Sequence, residues 1–309
     1  MKTHFKIAIV TDSAASIPAD LLGRYGIEVV PYWVHIGNES FISGETIDPA
    51  TFFKKLRADP EVEVHTGVPA VGKFIETYEK LSAWAEHIVS IHVAGKQSAT
   101  CNAAELAQND SPVPVTVIDT ETTAMAEGFV VLEAARAAAR GGSLEEIVAR
   151  ARAVIPNVGL IALLESVTYA LKGGRLSSAA GRIGSLLHIQ PLIRVGANRV
   201  SVVGQARRRS KGLETLIDRT ISEAREDPIH LTVHYAEDEA EGRSLLESLE
   251  AQVNCVESFL TRVPVELGVH SGPGSIGVAY YVEREETGLV QQLERLGTQA
   301  KEAIRARLP

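Results

Sequence analysis

Three short stretches of this sequence carry side chains able to hold or attack an anion. Thr11-Asp12-Ser13 follows the apolar run Lys6 to Val10, and in α/β proteins the carboxyl end of such a strand borders the ligand crevice. Asp12 there serves as a base or acid, or simply caps the next turn, as Asp and Ser commonly do before a helix. Lys172-Gly173-Gly174-Arg175-Leu176-Ser177 sets a flexible double glycine before an arginine. That turn aims Arg175 at an anion or at a partner, although a plain surface arginine beside a helix start reads the same way. His270 lies next to Gly272-Pro273-Gly274, where it presents an imidazole to a cleft or fills a half-buried position. Arg207-Arg208-Arg209 reads as a solvated basic turn.

Other patterns exclude chemistry. Gly272-Pro273-Gly274-Ser275-Ile276-Gly277 spells the dinucleotide fingerprint, but the fingerprint works only when a helix N-terminus follows to receive the pyrophosphate. Ile276 to Val282 is instead an apolar run with the character of a strand, so a tight turn permitted by glycine is expected. The sequence has no P-loop and no Gly-x-Ser-x-Gly elbow, which removes two frequent routes to phosphoryl and acyl transfer. His230 and His234 are spaced as two metal ligands on a helix would be. The intervening Leu231-Thr232-Val233 marks a strand, where four residues span roughly 13 Å, too far for one ion. Neither a metal nor a cofactor is expected.

The elements that must position these residues follow from periodicity. Lys6 to Val10, Ile27 to His35, His87 to Val93 and Val115 to Ile118 are β-branched runs. Between and after them lie helical patterns, including Pro49 to Leu56 and Val71 to Trp84, the latter with Phe74, Ile75, Tyr78 and Leu81 on one face. This alternation predicts a Rossmann-like, mostly parallel sheet covered on both sides. An Ala-rich helix from Ala124 to Arg140 ends at Gly141-Gly142, and Ser143 with Glu146 forms a capping box for the next. The divide is placed near Pro156, giving an N-terminal α/β domain over 1–156 and a C-terminal α+β domain over 157–309. In the second half, Val158 to Leu164, Ile189 to Val195, Val200 to Val203, Ile229 to Tyr235, Cys255 to Thr261 and Ile276 to Val282 read as strands. Ser178 to Leu187, Lys211 to Arg225 and Glu237 to Gln252 read as helices. The link Gly196-Ala197-Asn198 suits a hairpin, which implies a mixed or antiparallel sheet.

With 309 residues, 45% of them hydrophobic, the chain is long enough for two cores. A net charge of −8 argues against a nucleic-acid partner, since phosphate binding draws on a basic excess. Cys101 and Cys255 are the only cysteines, which fits a reducing compartment. The N-terminus lacks the features of a signal peptide, and no apolar run approaches the length of a membrane span. A cytoplasmic protein with no stable membrane insertion is expected.

Taken together these motifs resemble the DegV family over nearly the whole chain. The opening Lys6 to Ala15, the Lys172 to Ser177 turn, Gly184 to Pro191 and Gly268 to Gly274 occur in the family's order. The resemblance implies two α/β domains with a fatty acid between them, its carboxylate held by hydroxyls and its tail in an apolar tunnel. It also implies a separate ATP-dependent fatty acid kinase as partner, with this chain a binding subunit and not itself an enzyme. The family's Thr-Ser-x-Pro-Ser appears here as Thr66-Gly67-Val68-Pro69-Ala70, and its Ser-Ser-x-x-Ser-Gly-Thr as Ala94-Gly95-Lys96-Gln97-Ser98-Ala99-Thr100. Thr66, Gly67, Ala94, Gly95, Ser98 and His270 are therefore the expected ligand-binding residues, with Arg175 and Arg207 facing the partner. A serine restored at Ala94 is expected to tighten binding, while Gly95 is expected to need a positive φ. The alternative is an enzyme acting on a small anionic substrate in the same cleft, with Asp12 and His270 as acid and base.

Overall fold

The structure, a computed structural model, describes residues 6–176 and 189–284. The helix expected over Ser178 to Leu187, with Ser177 of the double-glycine motif, lies outside the described residues. In the first half, β1 (Ile7–Asp12), α1 (Ala19–Tyr25) and β2 (Glu28–Val30) are followed by β3 (Trp33–Ile36) and β4 (Glu39–Ile42). Then come α2 (Pro49–Ala58), β5 (Val64–Gly67), α3 (Val71–Ser82), β6 (His87–His92), α4 (Thr100–Ala107) and β7 (Val115–Asp119). Strands β2-β1-β6-β7 form the expected parallel sheet. Helix α3 presses Phe74, Tyr78 and Leu81 onto it, as their helical spacing requires.

One expectation fails locally. The run Ile27 to His35 is not a single strand: it breaks at Pro31 and Tyr32, and its two parts join different sheets. Proline has no N–H to donate to a ladder, so β2 stops at Val30. The chain then starts β3, the centre of a small antiparallel sheet ordered β4-β3-β5, which α2 covers with Phe52, Phe53 and Leu56.

The second half follows α5 (Ala124–Ala139) and α6 (Leu144–Val154), the latter opened by the Ser143 and Glu146 capping box. It contains β8 (Val158–Leu163), α7 (Thr168–Lys172), β9 (Gln190–Gly196), β10 (Arg199–Ala206), α8 (Arg209–Ala224) and β11 (Ile229–Tyr235). It continues with α9 (Glu239–Glu250), β12 (Cys255–Arg262), α10 (Val265–Ser271) and β13 (Ile276–Val282). Its sheet runs β10-β9-β8-β13-β11-β12 and is antiparallel except for the β11–β12 pair. The β9–β10 hairpin turns on Ala197 and Asn198, with φ of 49° and 56°, the paired positive values of a tight hairpin turn. His230 and His234 both lie on β11, a strand as expected.

Helix α5 is buried nearly all round and packs against β1 of the parallel sheet and against β8 and β13 of the mixed sheet. Its alanines and Gly128 allow this close approach. A Cβ on Gly128 would come within 2.6 Å of the Ala15 carbonyl. The far end of α5 is tied to the mixed sheet by charge: Glu133 pairs with Arg136 and Arg150, and Arg136 donates to Glu257 at 2.7 Å. Burial disfavours the charge on Glu257, but hydrogen bonds from His230 and Arg136 hold its pKa down at about 2. A folded-state pKa below the unfolded value stabilises the protein at higher pH, and that contribution fades as pH falls from about 4.5 to about 2. For this half-buried group it is worth roughly 1–2 kcal/mol after solvent screening. Glu257→Gln is expected to lose this increment at neutral pH and to flatten the acid limb of stability, which urea unfolding at stepped pH measures.

Candidate ligand-binding site

Between the two large sheets lies a cavity of ≈ 140 Å³. Its wall from the mixed sheet is apolar, with Leu160 and Ala162 from β8, Ile193 and Val195 from β9, and Val200 from β10. Alternation along β8 explains this, because Leu160 and Ala162 face the cavity while Ile161 and Leu163 belong to the core on the opposite face.

Polar groups gather along one connected stretch of the wall. His270, on α10, places Nε2 3.4 Å from Thr66 Oγ1 at the end of β5. Its Nδ1 side lies against Gly173, where any Cβ would overlap the ring nitrogen. The first glycine of the double-glycine turn thus makes room for the imidazole, while the second, Gly174, supplies a φ of +72°. Arg175 follows, its Nη1 donating to the Gly173 carbonyl at 2.7 Å and its Nε to the Gln97 carbonyl at 3.3 Å. Next to Gln97 is Ser98, whose hydroxyl lies 2.7 Å from Tyr32 Oη and 2.8 Å from Thr100 Oγ1. Burial, aided by the positive charge of Arg175, pushes the His270 pKa down to about 3, so the imidazole is neutral near pH 7. Burial and the nearby Asp12 keep Tyr32 protonated. The cavity therefore offers a cation, a neutral imidazole and hydroxyl donors, a set suited to a carboxylate.

Thr66, Ser98, Arg175 and His270 line this one cavity. Gly67 is the neighbour of Thr66 but lies against Trp33 and His35. Ala94 is fully buried and contributes no lining surface; its N–H donates to the Thr122 carbonyl. A serine there would add its hydroxyl inside the protein and not in the cavity, so the expected tightening has no geometric basis. Gly95 does not take the positive φ expected of it. What limits it is space, since a Cβ would lie 2.8 Å from Asp119 Oδ2. Arg207 is exposed and away from the cavity. Arg175 is part of the wall, where the sequence placed it facing a partner.

Asp12 is also elsewhere. Its Oδ1 accepts from the Ala14 N–H at 3.0 Å, and its Oδ2 meets His92 Nδ1 at 3.0 Å and the Val93 N–H at 3.2 Å. It does not line the cavity, so the acid and base pair of the enzymatic alternative is not assembled. Tyr32, Gln97, Thr123 and Glu266 line the cavity without having been expected. For Glu266 a signal existed: an acidic residue inside the apolar Val265 to Val269 stretch, one helical turn before His270.

The α/β fold thus places an apolar cavity between its two main sheets, with groups able to bind an anion on part of its wall. The DegV family profile, described as uncharacterised protein of the DegV family, matches residues 6–283. This chain belongs to that family. It is 32% identical over 274 residues to the DegV domain-containing protein SCO2569 of Streptomyces coelicolor, covering 88% of this chain and 97% of that one. Among solved structures, a DegV family protein from Thermus thermophilus, described by its fatty acid binding, matches with a TM-score of 0.83 at 29% identity, covering 89% of this chain and 99% of that one. DegV from Bacillus subtilis, described as a fatty acid binding protein, matches with a TM-score of 0.80 at 26% identity, covering 90% of this chain and 99% of that one. Among the described residues no helix is long and apolar enough to cross a membrane.

Proposed function

We propose that this protein binds a long-chain fatty acid, with the carboxylate against Thr66, Ser98, Arg175 and His270 and the acyl chain along the apolar wall. The observation that carries this reading is the joining of one guanidinium, one neutral imidazole and hydroxyls on the wall of a mostly apolar cavity. Each buried methylene contributes about 0.8 kcal/mol, so the wall supplies affinity while the polar groups fix orientation. The two solved relatives described as fatty acid binding support the same ligand class. In this proposal residues 1–156 supply Thr66 and Ser98, and residues 157–309 supply Arg175, His270 and the acyl wall. The protein is a cytoplasmic, non-catalytic subunit that offers its acid to an ATP-dependent kinase, with the exposed Arg207 available to that partner.

Native mass spectrometry of protein purified gently from cells is expected to show a retained mass of fatty-acid size, and its absence would count against the proposal. Thr66→Val keeps shape and removes the hydroxyl. It is expected to weaken fatty-acid binding about tenfold, the worth of one hydrogen bond to a charged group, with little change in unfolding temperature. Equal affinities in a side-by-side titration would show that the head group is held elsewhere.

A further inference from the structure

Glu266 is out of place in a cavity shaped for a plain hydrocarbon chain. Its side chain is fully buried and lines the cavity. Oε2 accepts a hydrogen bond from Ser43, while Oε1 has no hydrogen-bond partner among the described residues. Burial raises the Glu266 pKa above the usual carboxylate range; the Ser13 and Ser43 hydroxyls act against that shift and Asp12 adds to it. The buried Thr123 Oγ1, on the same cavity wall, is likewise unpartnered. An orphaned buried polar atom keeps its full desolvation cost, and an unsubstituted chain would leave both atoms orphaned. Glu266 lies one helical turn before His270 on α10, about 5–6 Å away between Cβ atoms. That distance corresponds to the first several carbons of a chain whose carboxylate sits at His270.

We propose that the ligand is an acyl chain bearing a hydroxyl close to its carboxylate, and that Glu266 is the residue that selects it. The inference rests on the fatty-acid reading above and narrows it to hydroxylated acids. Glu266 can donate to that hydroxyl through a protonated oxygen or accept from it through the free one, and Thr123 is a second hydroxyl on the same wall. Sites that hydrogen-bond a substrate hydroxyl discriminate strongly against the analogue lacking it, because their own buried groups are then left unpaired.

The test is calorimetric titration of the delipidated full chain with hexadecanoic acid and with its 2-hydroxy and 3-hydroxy derivatives. At least one hydroxy acid is expected to bind about tenfold or more tightly than hexadecanoic acid. Glu266→Leu should erase that preference, bringing the hydroxy acids and hexadecanoic acid to the same affinity. Hexadecanoic acid binding as tightly as both derivatives would overturn the proposal and leave the fatty-acid reading standing. A uniform weakening of all three acids by Glu266→Leu would overturn it too, by assigning Glu266 to the carboxylate. If none of the three acids binds the parent protein, the fatty-acid reading falls and the proposal falls with it. Should Glu266→Leu fail to fold, the comparison in the parent protein decides alone.

Discussion

Replacing Asp12 with alanine is expected to cost about 3–5 kcal/mol of stability, the scale on which removing one partner of a buried pair acts. Asp12 is 1% exposed and terminates β1 with both oxygens engaged. Beyond it, His92 Nε2 lies 2.6 Å from Ser90 Oγ, which lies 2.9 Å from Tyr78 Oη. One carboxylate thus anchors a polar line that crosses from β1 through β6 to α3. Alanine would leave His92 and the amides of Ala14 and Val93 without their acceptor in a dry interior, where an unpaired donor keeps its full desolvation cost. For a chain of this size the unfolding temperature should fall by roughly 10 °C, while Asp12→Asn, which keeps one acceptor oxygen, should fall between the two. A thermal melt of Asp12→Ala within a degree or two of the parent would show that the line carries little of the stability.

The largest expected effect on binding comes from a single methyl group. Gly173 has φ −76° and ψ −4°, ordinary right-handed values that alanine adopts freely, so Gly173→Ala imposes no backbone strain. The added Cβ would overlap His270 Nδ1, and the imidazole must leave its place between Gly173 and Thr66. Loss of one hydrogen bond to a charged group gives a weakening on the order of tenfold to a hundredfold in titration with a long-chain fatty acid, at small cost in stability. The double variant Gly173→Ala with His270→Ala should bind no worse than His270→Ala alone, because the clash has gone with the ring. Additive losses instead would mean that Gly173 acts through something other than His270.

What the sequence made legible was local. The strand character of Leu231-Thr232-Val233, the Ser143 capping box and the Gly196-Ala197-Asn198 hairpin each depend on a few adjacent residues, and each is found in the structure. The parallel sheet was legible because continuous apolar strands between amphipathic helices have few other solutions. The β4-β3-β5 sheet was not, because Trp33 pairs with Gly67 across an intervening strand and helix and nothing near either residue announces the partner. The cavity divides the same way. Thr66, Ser98, Arg175 and His270 lie in short motifs and all line the cavity, although 204 positions separate Thr66 from His270. Tyr32 belongs to no motif that points to a ligand and Gln97 fills an unspecified position of one, so only the packing of distant elements brings them to the wall. Arg175 illustrates the limit from the other side: its turn was legible, but the direction of its guanidinium is set by the carbonyls of Gly173 and Gln97.

The burial of α5 on nearly all sides bears on how the molecule comes apart. A single apolar cluster contains Ile9 and Val89 of the parallel sheet, Phe129 and Val130 of the helix, and Leu160 and Ala279 of the mixed sheet. Neither sheet has a dry interior of its own on that side, for each borrows the same helix. A chain cut near Pro156 would leave the second half with a bare apolar face. Loosening one half alone would expose the apolar surface that the other shares with it through α5. The proposed division of ligand contacts between residues 1–156 and 157–309 therefore does not divide this shared cluster, and a single transition is expected in a calorimetric melt.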